Sequence, residues 1–150
     1  MRQYIGIAPS NRKDINAIHV GDKAQFSKTV TEADVMMFAQ LSGDYAPHHV
    51  SKSFGETTMF KSRIAHGMLT VGLVSPVLFK ICGDISRTVF QNIRFRSAVI
   101  LGDTVDVEGI VTDIDVENAT VSIDITARRH GAAEQDRPFI TGVFRQTLNV

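Results

Sequence analysis

The chain has 150 residues, with 16 Lys+Arg set against 16 Asp+Glu and a formal net charge of zero, and at 43% hydrophobic and 21% charged it can bury a core of single-domain size. Without an excess of cations it lacks the electrostatic footprint of a nucleic-acid binder. No run reaches the ~18 apolar residues of a membrane helix, and Met1 to Ser10 lacks the apolar stretch of a signal peptide, so neither a nucleic-acid nor a membrane partner is expected. The cytoplasm is the expected compartment, and one cysteine, Cys82, agrees because it cannot form an internal disulfide.

No repeat or linker divides the sequence, so it is read as a loose N-terminal arm, residues 1–19, and one unit, residues 20–150. Thr31-Glu32-Ala33-Asp34 forms a capping box that starts a helix, and Gly43 supplies its stop. Val35, Phe38, Ala39 and Leu41 are its predicted buried side. A long connection follows, Gly43 to Arg63, in which Ser51 can cap a short helix running to about Phe60. From Gly67 to Ile81 apolar residues fall on every side of a second helix, Met68, Leu69, Val71, Val74, Val77, Leu78 and Phe79 among them. Such a helix must be enclosed. It is too short and too interrupted, by Thr70, Ser75, Pro76 and Lys80, for a bilayer to enclose it, and Pro76 kinks or shortens it.

The rest reads as strand. Val89, Ile93 and Phe95 alternate with polar residues, and so do Val121, Ile123, Ile125 and Ala127 after a turn at Glu117-Asn118. From Thr104 the inward set begins at Val105 and Val107 but continues at Ile110 and Ile114, a change of phase that predicts a bulge at Gly109. Phe139 to Leu148 is the final strand. An enclosed helix followed by antiparallel strands predicts an α+β architecture with a curled sheet wrapped around one central helix, the hot-dog fold. Such a sheet leaves an open edge, and a second copy of the chain is the expected cover, hence a homodimer.

Chemistry concentrates in the long connection, which carries Asp44, His48 and His49. Asp44 suits an Asx turn just past a helix end. Pro47 also stiffens the backbone between Asp44 and His49, so an acid and an imidazole can be aimed at one point, an arrangement suited to holding a water. As metal ligands, Asp44, His48, His49 and His66 follow no recognised spacing, and no metal is expected. His66 is read as structural, bonded within the helix start, and Cys82 as a small buried hydrophobe. Lys61, Arg63, Arg94 and Arg96 are read as solvated cations rather than ligands of a phosphate.

Phe38-Ala39-Gln40-Leu41-Ser42-Gly43-Asp44-Tyr45-Ala46-Pro47-His48-His49 resembles the hydratase signature of the MaoC-like, (R)-specific enoyl-CoA hydratases and dehydratases, in which Ser-Gly-Asp is followed by Asn-Pro and a His. Arg63-Ile64-Ala65-His66-Gly67-Met68-Leu69-Thr70 is similar to the His-Gly-Met segment that opens that family's central helix, and Phe95 and Gly102-Asp103-Thr104 echo its later strand and turn. The resemblance runs from about Val20 to the C-terminus. It departs at Ala46, where the family has Asn, and at Ser51, where it often has Asp.

The resemblance implies reversible syn addition of water to a trans-2-enoyl thioester, giving an (R)-3-hydroxyacyl product, with Asp44 and His49 as the pair that activates the water. It implies an oxyanion donor in the Gly67 amide, at the first turn of a buried helix, and a site hydroxyl in Ser75. No cofactor is implied, because coenzyme A or the phosphopantetheine of a carrier protein is part of the substrate. Phe38, Phe54 and Met68 are candidates to line the acyl tunnel, and the site is expected along the seam between two copies. A hot-dog acyl-CoA thioesterase is the rival enzyme, but it would place a carboxylate on or beside the central helix, and no Asp or Glu lies between Arg63 and Gly83. A non-catalytic acyl-thioester-binding protein is the rival of another class, and the presence of both Asp44 and His49 argues against it.

Overall fold

Alternation in Thr120–Arg129 leaves Val121, Ile123, Ile125 and Ala127 fully buried on one face, and this strand is central to the sheet of the computed structural model, which describes residues 13–148. The strands are β1 (Lys23–Thr29), β2 (Arg87–Phe95), β3 (Thr104–Asp115), β4 (Thr120–Arg129) and β5 (Ile140–Thr147), and they form one antiparallel sheet in the order β1-β3-β4-β5-β2. The helices are α1 (Glu32–Ser42), α2 (Pro47–Val50), α3 (Lys52–Thr57), α4 (Gly67–Gly72) and α5 (Ser75–Cys82). The core lies between the α4–α5 segment and the inward faces of β3, β4 and β5. This is the hot-dog arrangement.

The capping box is formed in full: the Thr31 hydroxyl accepts from the Asp34 amide, the Asp34 carboxylate accepts from the Thr31 amide, and Gly43 closes α1 in the left-handed region at φ 78°. The buried stripe is narrower than expected. Val35 and Ala39 are buried, Phe38 is half-buried, and Leu41 is 84% exposed. Leu41 stands two residues beyond Ala39, about 200° further round the helix, and so faces away from the core. Ser51 caps α3 by accepting from the Phe54 amide, as the sequence predicts.

The single central helix is two. Pro76 has no amide to donate to the carbonyl of Gly72, and its ring clashes there, so α4 ends at Gly72 and α5 begins afresh after a turn at Leu73–Val74. Its enclosure is incomplete: Val71, Val74, Val77, Leu78 and Ile81 are buried, but Met68 is 57% and Phe79 51% exposed.

Three further elements differ from expectation. β1 was not foreseen, because Lys23-Ala-Gln-Phe-Ser-Lys-Thr offers only Ala24 and Phe26 to the core, yet it pairs with β3 and sets Phe26 opposite Val107. The bulge in β3 falls between Val111 and Asp113 rather than at Gly109. Gly109 keeps the inward phase of Val105 and Val107, and its missing side chain lets Val77 of α5 approach the sheet. In β2 the register shifts between Thr88 and Phe90, so Val89 leaves the predicted alternation, and Val89 and Phe95 are exposed on this edge strand. Of the stretch read as a loose arm, residues 1–12 lie outside the described residues, as does the Met1–Ser10 segment. Residues 13–19 contain a 3-10 turn, Ile15–Ala17, capped by Asp14, and bury Ile18 in the core.

Candidate active site

Beyond Gly43 the chain makes the foreseen Asx turn, in which Asp44 Oδ1 accepts from the Ala46 amide at 3.1 Å. Pro47 then opens α2, a single turn whose third residue is His49. His49 is 7% exposed. Its Nδ1 donates to the Ile64 carbonyl at 2.8 Å, and the Ile64 amide returns a bond to the His48 carbonyl at 3.1 Å. Ile64 is itself tied to Ile100 by a β-bridge, so the imidazole is anchored to the sheet side of the molecule. With Nδ1 protonated, Nε2 carries the lone pair, and it faces Asp44 Oδ2 at 3.9 Å.

The two groups are tuned differently. The Ala46 amide beside Asp44 holds its carboxyl below the usual carboxylate range, with the neighbouring histidines adding to the effect against partial desolvation. Burial holds His49 below its ordinary value, against the opposing pull of the Ile64 carbonyl and Asp44. At neutral pH the site therefore presents a carboxylate and a neutral imidazole, both acceptors. A water about 2.8 Å from each would donate one proton to each.

His66 lies beneath this pair. It is 2% exposed, stacked on His49 at 3.9 Å between ring centroids and 28° between planes, with Phe38 at 4.9 Å. Its Nε2 donates to the main-chain carbonyl of Asp44 at 2.9 Å. This corrects the expected bond within the helix start: the side chain reaches across to the loop. Its Nδ1 is the one buried side-chain nitrogen or oxygen without a partner among the described residues, a loss of the order of ~1–3 kcal/mol.

Gly67 begins α4, where an amide has no carbonyl one turn back to bond. A β-carbon on Gly67 would lie 2.8 Å from Phe95 Cε1, so glycine lets the Phe95 ring rest against the helix start. His49 and Gly67 share a cleft of about 370 Å³, walled also by Thr70, Phe95, Val99 and Ile140. The fold thus brings His49 and Gly67 to one cleft, with Asp44 set beside His49 but not itself among the residues of the wall. Ser75 is exposed at the first residue of α5 and is not among the residues of this wall. Nor are the expected tunnel residues: Phe38 packs on His66, while Phe54 and Met68 are exposed. Thr70 was missed although it was legible, three residues after Gly67 on the same helix face. Val99 and Ile140 arrive from distant parts of the chain. Arg63 is occupied by an ion pair with Glu32 at 2.8 Å.

Ligand atoms of Asp44, His49 and His66 lie within 4.8 Å of one another. His49 Nδ1 and His66 Nε2 are committed to carbonyls, so each of these stacked imidazoles has one ring nitrogen left to offer.

The curled sheet around α4 and α5 makes this a hot-dog protein, with a carboxylate and an imidazole set 3.9 Å apart beside its cleft. Residues 13–131 match the family model described as the MaoC like domain, and the chain belongs to that family. It is 40% identical over 110 residues to an (R)-specific enoyl-CoA hydratase of Rhodospirillum rubrum, covering 73% of this chain and 76% of that one. It is 34% identical over 110 residues to a 3-hydroxybutyryl-CoA dehydratase of Methylorubrum extorquens, covering 73% and 70%. Among solved structures, an (R)-hydratase from A. caviae superposes with a TM-score of 0.81 at 32% identity, over 87% of this chain and 97% of that one.

Proposed function

We propose that the protein is an (R)-specific enoyl-thioester hydratase, a hydro-lyase that adds water reversibly across a trans-2-enoyl thioester. The observation that carries this reading is the 3.9 Å approach of Asp44 Oδ2 and His49 Nε2, with His49 and Gly67 lining one cleft. In hydration, water held between the pair gives a proton to His49 Nε2 as its oxygen attacks the β-carbon. The charge that develops on the thioester oxygen is met by the Gly67 amide, and the imidazolium returns the proton to the α-carbon on the same face. Asp44, whose carboxyl is held below the usual carboxylate range, stays ionised, orients the water and stabilises the imidazolium. No acidic residue on α4 or α5 offers the carboxylate a thioesterase would need.

The substrate handle is coenzyme A or the phosphopantetheine arm of a carrier protein, and no metal or redox cofactor takes part. The working unit is a homodimer in the cytoplasm. Supporting it are the exposed Val89, Phe90 and Phe95 on edge strand β2, together with the incompletely enclosed Met68 and Phe79. No helix among the described residues is long and apolar enough to cross a membrane. Incubation with crotonyl-CoA, followed by loss of the conjugated thioester absorbance and chiral analysis of the product, tests the activity. Formation of (R)-3-hydroxybutyryl-CoA is expected. No turnover of short, medium or carrier-bound enoyl thioesters contradicts it.

A further inference from the structure

We infer that His66 is a positioning residue of this site, one whose side chain holds the water-activating pair while its main chain sets the oxyanion donor, so that one residue fixes the distance between the two halves. The inference rests on the hydratase reading above and deepens it. On its side-chain end, His66 Nε2 donates to the Asp44 carbonyl at 2.9 Å, and its ring supports the His49 imidazole face to face at 3.9 Å. Both members of the pair thus rest on the same imidazole. On its main-chain end, His66 is the cap residue of α4, so the next amide along the chain is that of Gly67. Its carbonyl also accepts from the Thr70 amide at 3.2 Å and from the Thr70 hydroxyl at 3.3 Å, which anchors it to the first turn of α4.

The unpartnered Nδ1 sharpens this assignment. A histidine kept only for packing could be replaced by an apolar ring with no orphaned nitrogen, whereas this site tolerates a buried nitrogen without a partner and uses the other as a donor. Among the described residues, the Asp44 carbonyl accepts no main-chain bond that would substitute for the one from His66. Without that donor, the segment from Asp44 to Pro47 keeps its Asx turn, the bond from the Asp44 amide to the Ser42 hydroxyl and the bonds its Ala46 and Pro47 carbonyls accept from the residues just after it, all local to the loop, which fix its shape but not its distance from α4. His66 does not touch the reacting atoms. It acts through Asp44 and His49, and its effect belongs in turnover rather than in substrate affinity.

Two substitutions separate the donor from the ring. His66→Phe keeps an aromatic ring between Phe38 and His49 and deletes the donor, whereas His66→Gln keeps a donor at similar reach and deletes the ring. The expected result with crotonyl-CoA is a fall in kcat of about 100-fold for His66→Phe, the loss that follows a misplacement of about 1 Å. Its KM stays within about threefold, and His66→Gln loses less than about tenfold. Equal losses in two folded variants, or near-full kcat in His66→Phe, overturn the assignment. A readout independent of the variants' folding is the imidazole nitrogen NMR of the unmodified protein. It is expected to show His66 protonated at Nε2 and His49 at Nδ1, and a His66 protonated at Nδ1 overturns the inference even if both variants fail to fold. Absence of any turnover by the unmodified protein would instead remove the hydratase reading and leave the tautomer result standing by itself.

Discussion

Alanine at position 109 probes the contact that seats α5 in the sheet. Its methyl carbon would stand 2.6 Å from Val77 Cγ1, 3.0 Å from Ile125 Cδ1 and 3.2 Å from Ile123 Cγ2. Carbon atoms rest at about 3.5–4.0 Å, so Val77 must retreat by about 1 Å. Val77 and Ile123 are fully buried and β-branched, with few rotamers to spare. A buried methyl contributes about 0.8 kcal/mol and the loss of glycine's backbone freedom roughly 0.5–1 kcal/mol. Overpacking against stiff neighbours, at the upper end of its usual range at about 3 kcal/mol, outweighs both, for a net destabilisation of about 1.5 kcal/mol. For a chain of this size that is a fall in Tm of about 3–6 °C, read by calorimetry at a fixed protein concentration. Val77→Ala in the same chain opens the space, so the double variant is expected to be more stable than the sum of the single changes by about 1 kcal/mol. A Gly109→Ala protein melting at or above the unmodified one, or strictly additive changes, refutes the close approach of α5.

Asp34 accepts from Lys28 at 2.7 Å and from the Thr31 amide, and these bonds lower its carboxyl from the ordinary 3.8 to about 2. Because the folded value lies below the unfolded one, its contribution is complete above the ordinary value and is lost as pH falls toward 2. Asp34→Ala should therefore cost about 1–2 kcal/mol in urea unfolding at pH 7 and progressively less in acid. Burial lowers His49 from its ordinary 6.5, so hydration kcat/KM should hold through pH 6.5 and fall only at lower pH, as the imidazole gains a proton; an acid limb centred above 6.5 contradicts the assignment of His49 as base. Gly67→Ala meets the mobile end of the Phe95 ring at 2.8 Å, so the ring should turn into the cleft, lowering kcat/KM about tenfold or more while Tm changes little; unchanged kinetics contradict the placement of the substrate at this cleft.

Local patterns were legible and long-range ones were not. The α1 cap, the Ser51 cap and the alternation in β4 each depend on residues within one turn or one strand, and each formed as read. The break between α4 and α5 was hidden because a segment apolar on all sides has no periodicity to lose, and only Pro76 hinted at it. Polar β1 became a strand because β3 offered it an edge, which no feature of its own composition announces. In β3 a change of phase is legible in the sequence, but it falls at Thr112 rather than Gly109, and Val111 rather than Ile110 takes the inward place, because close packing of a helix and a bulge both select glycine. At the site, Asp44 and His49 are legible from six consecutive residues, Asp44 to His49, and Gly67 from its place at a helix start. Val99 and Ile140 were not, since they reach the cleft only through sheet topology. His66 was seen but assigned the wrong partner, because its bond to Asp44 spans 22 residues of chain.

The central claim is that Asp44 and His49 act as one water-activating unit, and the direct measurement is crotonyl-CoA hydration by Asp44→Ala, His49→Ala and the double variant, each checked for folding by its thermal transition. The expected result is a loss of at least about 100-fold in kcat for each single variant, with the double variant little worse than the weaker single one, because groups that act together are lost together. Turnover within about tenfold of the unmodified protein in both folded single variants contradicts it.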